Sequence, residues 1–167
     1  MDREYGFSLL EALIALLVIA VGVLGIAGLQ AASIYRTHVG EVKSLAAVEA
    51  QSIAAAMLAN PGAFPPTVIP PAKYETASAA ALSPPAADCG TGICTPAEMA
   101  QYDLYVWGNR LQQDLPQGDG AIECHTTAPN PTQCKVTITW RQKRMAPSAG
   151  TVAGSIVTRQ YSIWVNP

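Results

Sequence analysis

The sequence predicts an α+β protein: a long N-terminal α-helix, membrane-spanning in its first half, packed by its second half on a C-terminal antiparallel β-sheet domain. Three observations carry this expectation. The stretch "FSLLEALIALLVIAVGVLGIAGL", Phe7 to Leu29, is 23 residues long with Glu11 as its only charge. The stretch that follows, Gln30 to Asn60, contains no proline and repeats its larger apolar residues at helical spacing. The C-terminal runs "KVTITW" and "VTRQYSIWV" alternate apolar and polar residues, the period of a half-buried strand.

At about 1.5 Å per residue, Phe7–Leu29 extends roughly 35 Å. That crosses a hydrocarbon core of about 30 Å. The segment is apolar on every face, unlike the one-sided stripe of a helix lying on a soluble core. A cleaved secretory signal would need a basic leader and an apolar run of about 7–15 residues. Here the run is longer, and the leader "MDREYG" sets Asp2 and Glu4 against Arg3.

In the second half, Tyr35, Val39, Val42, Ala46, Ile53 and Met57 fall in one stripe, flanked by Leu45 and interrupted by Glu49. Asn60-Pro61-Gly62 is a strong stop. One helix is therefore expected from about Phe7 to about Ala59, roughly 80 Å long. A domain this small cannot bury such a helix, so its first half must be covered by lipid or by similar helices of other subunits.

Eight of the chain's 13 prolines lie between Pro61 and Pro96, and no period survives there, so an irregular surface loop is expected. Order resumes at "CTPAEMAQYDLYVWGNRLQQDLP". Thr95 suits an N-cap, Pro96 the first helical position, and Glu98 completes a capping box. Ala97, Ala100, Leu104, Trp107 and Leu111 form its apolar stripe, and Pro116 and Gly118 end it. "AIEC" then leads through a turn at Pro129, Asn130 and Pro131 into a strand with Val136, Ile138 and Trp140 on one face. The last strand places Val157, Tyr161, Ile163 and Val165 on one side, interrupted by Arg159. The resulting organisation is a leader at 1–6, a membrane and assembly helix at 7–29, an amphipathic helix at 30–60, a Pro-rich loop at 61–94, and a helix plus antiparallel sheet at 95–167.

From Ala31 to Pro167 nine Lys/Arg balance nine Asp/Glu, which gives no field to attract nucleic acid or anionic lipid. Arg141, Lys143 and Arg144 form one basic cluster, read as a solvated turn after a strand. Four cysteines, Cys89, Cys94, Cys124 and Cys134, all lie downstream of the apolar helix. Their C-x4-C and C-x9-C spacings are not those of zinc sites, and "CGTGIC" is followed by Thr95 rather than the histidine of a haem attachment motif. Two disulfides in an oxidising compartment fit best, which places this part of the chain in a periplasm. Four cysteines allow three pairings and the sequence does not choose among them. Closure of each short loop on itself, Cys89–Cys94 and Cys124–Cys134, is the preferred one.

The stretch Gly6-Phe7-Ser8-Leu9-Leu10-Glu11 resembles the processing motif of type IV pilins and related pseudopilins: a short leader, Gly-Phe, then Glu inside an N-terminal apolar helix. "GVLGIAGLQ" and "CTPAEMAQYDLYVW" are similar to the PilV (type IV pilus modification) subfamily of minor pilins. The resemblance implies a pilin-like fold, cleavage by a prepilin peptidase between Gly6 and Phe7, and N-methylation of Phe7. It also gives Glu11 a role. Cleavage creates an amine at Phe7 with a reference pKa of about 7.7–8.0. Between helices packed without water, a buried charge needs a partner. Glu11 of one subunit can pair with the Phe7 amine of its neighbour and so set the axial register of the assembly. Gly22, Gly25 and Gly28 each weaken the helix by about 1 kcal/mol relative to Ala. They permit close helix packing in the membrane or, as in related pilins, local melting when the helix enters a filament.

No catalytic constellation is visible: the chain lacks G-x-S-x-G, a Gly-rich phosphate loop and H-E-x-x-H. His38 falls on the long helix and His125 beside Cys124. The expectation is therefore a structural protein without catalytic residues, cofactor or metal. The resemblance implies a minor pilin priming or supporting type IV pilus assembly, anchored in the inner membrane by a single pass and incorporated near the pilus tip. The expected partners are the prepilin peptidase, other minor pilins, the major pilin and a tip adhesin. Two alternatives are a minor pseudopilin of type II secretion and a DNA-uptake pilin using Arg141, Lys143 and Arg144.

Overall fold

A computed structural model describes residues 9–64, 73–125, 132–143 and 155–167. The chain forms two compact units, 1–41 and 42–167. A single α-helix, α1, runs Leu9–Ala59 through both. A 3-10 turn at Pro61–Ala63 follows, then α2 (Pro96–Asp114), β1 (Asp119–His125), β2 (Gln133–Lys143) and β3 (Ile156–Val165). The three strands form one antiparallel sheet in the order β1-β2-β3. The α+β architecture thus follows the sequence pattern. The composition changes near residue 30, whereas the compact division falls at Glu41/Val42, where the first buried residue among the described α1 side chains, Val42, stands.

The second unit is built around one core. From α1 it takes Val42, Ala46, Ala50, Ile53 and Met57, four of which are the stripe read from the sequence. From α2 it takes Ala100, Leu104, Trp107 and Leu111, and from β2 Cys134, Val136, Ile138 and Trp140. The β2 burial alternates residue by residue, as the pleat of a sheet with one covered face requires. Small residues let the layers approach closely. A side chain on Gly120 would collide with the Trp107 ring, and one on Gly108 with the backbone of Ala79.

The start of α2 is set by local chemistry. Glu98 N–H donates to Thr95 Oγ1 at 3.3 Å, and Thr95 N–H donates to Glu98 Oε2 at 2.8 Å, completing the reciprocal box. The hydrogen bonds from Thr95, backbone first, hold the Glu98 carboxyl below its ordinary pKa.

The described part of the Pro-rich segment is irregular and mostly exposed, with a few residues that reach the core. Tyr74 is fully buried and Ala79 nearly so. Thr76 and Ile122 exchange backbone hydrogen bonds at 3.1 and 2.8 Å, which fastens the segment along the outer edge of β1. The reason is chemical economy: one aromatic and a few backbone bonds suffice to tie a loop to a sheet edge, and they leave no periodic trace in the sequence. Pro65-Pro66, Pro70-Pro71 and the turn at Pro129–Pro131 lie outside the described residues.

Candidate assembly surface and supporting sites

Leu9–Ala59 is long and apolar enough to cross a membrane. Within its first unit Leu9, Leu13, Leu16, Leu24 and Leu29 are each more than half exposed, as are Ile14, Ile19 and Ile26. Large apolar side chains exposed along so much of one helix call for a cover of lipid or protein. Glu11 stands in the first turn of α1, exposed, where an acid also suits the helix dipole. From Leu9 to Tyr35 it is the sole charged side chain. Gly6 and Phe7, the expected cleavage and methylation positions, lie outside the described residues. Gly22, Gly25 and Gly28 sit in unbroken helix, and a side chain added at any of them would meet open space.

The four cysteines form two disulfides, Cys89–Cys94 and Cys124–Cys134. Cys124 and Cys134 occupy directly opposed positions of β1 and β2, so this bridge staples the end of β1 to the start of β2. Cys89–Cys94 closes a small loop before α2. Asp88 organises that loop, its carboxylate accepting from Gly90 N–H at 3.0 Å and from the Thr91 hydroxyl at 3.1 Å.

His38 is exposed on α1 with Nδ1 at 3.8 Å from Glu41 Oε2, and His125 is exposed at the end of β1. Arg141 and Lys143 are exposed on β2, where Arg141 donates to Gln117 Oε1 at 3.3 Å, and Arg144 lies outside the described residues. Among the described residues no cluster of three or more His, Cys, Asp or Glu side chains is arranged to hold a metal ion.

Two polar features inside the domain are not announced by any sequence motif. Tyr74 donates to Asp103 Oδ2 at 2.5 Å and receives a bond from Asn60 Nδ2 at 3.3 Å, joining the loop, α2 and the end of α1. Burial raises the pKa of both Tyr74 and Asp103, while their mutual hydrogen bond pulls the Asp103 value back down. Glu49 is buried between α1 and α2, with Oε2 lacking a partner, and its backbone carbonyl accepts the Trp107 indole N–H at 3.1 Å. Burial lifts its carboxyl above the ordinary range. Arg110 opposes the shift and Asp114 adds to it. Hydrophobic periodicity could have flagged Glu49, which breaks an otherwise apolar stripe. Nothing in the sequence pairs Tyr74 with Asp103.

Residues 1–27 match the family described as "Prokaryotic N-terminal methylation motif". No curated protein and no solved structure matches the chain. The motif and the apolar helix behind it support a type IV pilin-like protein, fit for membrane anchoring, processing by a prepilin peptidase and assembly with other pilins. The motif belongs to structural rather than enzymatic proteins.

Proposed function

We propose that the chain is a minor pilin, of the PilV kind, that primes or supports type IV pilus assembly. In this reading a prepilin peptidase cuts between Gly6 and Phe7 and methylates the new Phe7 amine. The anchored protein displays residues 42–167 in the periplasm until its apolar helix leaves lipid for the helical core of a filament, near the tip. The major pilin, other minor pilins and a tip adhesin are its assembly partners. The observation that carries the reading is the pairing of the methylation motif with a single acid, Glu11, in a helix whose apolar surface is exposed.

Glu11 acts as the register element. Leu, Val and Ala packed against one another can slide by a turn at little cost, but a buried carboxylate displaced from its cationic partner cannot. Removing one member of such a buried pair costs roughly 3–5 kcal/mol. Gly22, Gly25 and Gly28 provide a stretch that can loosen as the helix changes surroundings.

The test is Glu11→Ala in cells, with piliation scored by electron microscopy at matched protein levels. Normal leader removal with poor assembly supports the reading. Full piliation by the variant defeats it.

A further inference from the structure

The chain treats the two edges of its sheet differently. The β1 edge is occupied by its own loop: Thr76 and Ile122 pair through their backbones, Ala79 N–H donates to Gly120 O at 2.7 Å, and Glu75 accepts from Cys124 N–H at 3.4 Å. Among the described residues, no strand pairs with the outer edge of β3. Edge strands are usually protected by bulges, prolines or several charges. The pairing of β3 with β2 runs unbroken from Cys134↔Val165 to Lys143↔Ile156, and "IVTRQYSIWV" holds no proline and one charge, Arg159. The large apolar side chains on its outer face, Ile156 and Trp164, are 58% and 63% exposed and stand at opposite ends of the strand.

Read outward from Gln160, three of the four flanking residue pairs of β3 are alike in kind. Ile156 mirrors Trp164, Val157 mirrors Ile163, Thr158 mirrors Ser162, and Arg159 mirrors Tyr161. We propose that β3 pairs antiparallel with β3 of a second copy about a two-fold axis through Gln160, joining two sheets into one of six strands. Such an isologous contact satisfies both copies with one surface. It places Ile156 opposite Trp164 of the partner subunit, covering both exposed apolar groups at each end. It places Thr158 opposite Ser162 of the partner subunit, and Arg159 opposite Tyr161 of the partner subunit, where a guanidinium can lie on the ring.

Competing registers are poorer. Side chains alternate between faces, so a shift of one residue between strands would set the core face of one sheet against the solvent face of the other. Keeping the faces aligned moves the axis by whole residues. An axis at Arg159 opposes two guanidinium groups, which directly opposed strands disfavour. An axis at Tyr161 sets Arg159 against Ile163 and Thr158 against Trp164. The axis at Gln160 avoids all of these.

The inference stands whether or not the chain is a pilin.

The test uses the full chain with one added cysteine and a short bis-maleimide, the native cysteines being already bonded. In detergent, Gln160→Cys should cross-link to a dimer, because residue 160 faces itself. Thr158→Cys should not cross-link alone, but should when mixed with Ser162→Cys. Ile156→Lys combined with Trp164→Lys should abolish the dimer seen by sedimentation, and Ile156→Lys combined with Trp164→Glu should restore it. A monomeric wild-type chain in detergent with no cross-link at residue 160, equal cross-linking at 158 and 160, or capture of a different protein in place of a second copy would each overturn the proposal.

Discussion

Tyr74 donates a 2.5 Å hydrogen bond to the Asp103 carboxylate, and through it a proline-flanked loop is locked to the middle of α2. Tyr74 also stacks on Phe64, with ring centroids 5.5 Å apart, so the ring is held from the side while its hydroxyl is held from the end. Tyr74→Phe keeps the ring and removes the donor. The partly buried carboxylate then loses its partner, which costs about 1.5–3 kcal/mol for a bond to a charged group. Burial already raises the Asp103 pKa, and the Tyr74 bond opposes that rise, so the variant's Asp103 titrates higher still. Its deficit should be largest at neutral pH and shrink as acid neutralises the carboxyl. Denaturant unfolding of the two proteins across the acidic range checks both the size and the trend.

Glu49 offers the complementary case. Its folded pKa is raised, mainly by burial, so the folded state holds a proton more tightly than the unfolded state. Stability should therefore fall as pH rises from the ordinary carboxylate pKa through the raised value. Glu49→Gln preserves the shape without the charge. It should be more stable than the parent at neutral pH and lose that advantage below the ordinary carboxylate pKa. A parent that gained stability over that rise would show that Arg110 dominates instead.

Trp107 joins three layers: its indole N–H reaches the Glu49 carbonyl, its ring covers Gly120, and it is nearly fully buried. Trp107→Ala should cost about 3–5 kcal/mol. Gly120→Ala should also destabilise, because the new methyl meets the same ring from the sheet side. Thermal unfolding followed by near-ultraviolet circular dichroism measures both.

Much of this fold can be read from local pattern. Thr95, Pro96 and Glu98 mark the start of α2 because capping is satisfied within one turn. Val136, Ile138 and Trp140 mark the core face of β2 because a pleated strand alternates. The apolar stripe of α1 persists because a long helix repeats its burial every turn. Tyr74, Asp103 and Asn60 are different. They meet across 14 and 29 residues of chain, each supplied once, so no periodicity records the meeting. The same holds for Thr76, whose contribution is backbone and independent of side-chain type. The assembly motif is legible as a motif, but a short chemical signature names a processing reaction and not the partners that follow it.

The two disulfides should differ in weight. Cys124–Cys134 ties β1 to β2 with Cys134 fully buried, so replacing both residues by Ala should cost about 2–4 kcal/mol. Cys89–Cys94 closes a shorter loop at the surface, with Ile93 fully exposed, and its removal should cost less. Denaturant midpoints of the two double-alanine variants decide the order.

The central claim is that Phe7 becomes a charged chain start which Glu11 of a neighbour must satisfy. The most direct measurement is the intact mass of the protein purified from its native membrane, compared with that of Gly6→Ala. The account predicts a mature chain beginning at N-methylated Phe7, and an uncut leader in the variant. A native protein that still begins at Met1 would contradict it.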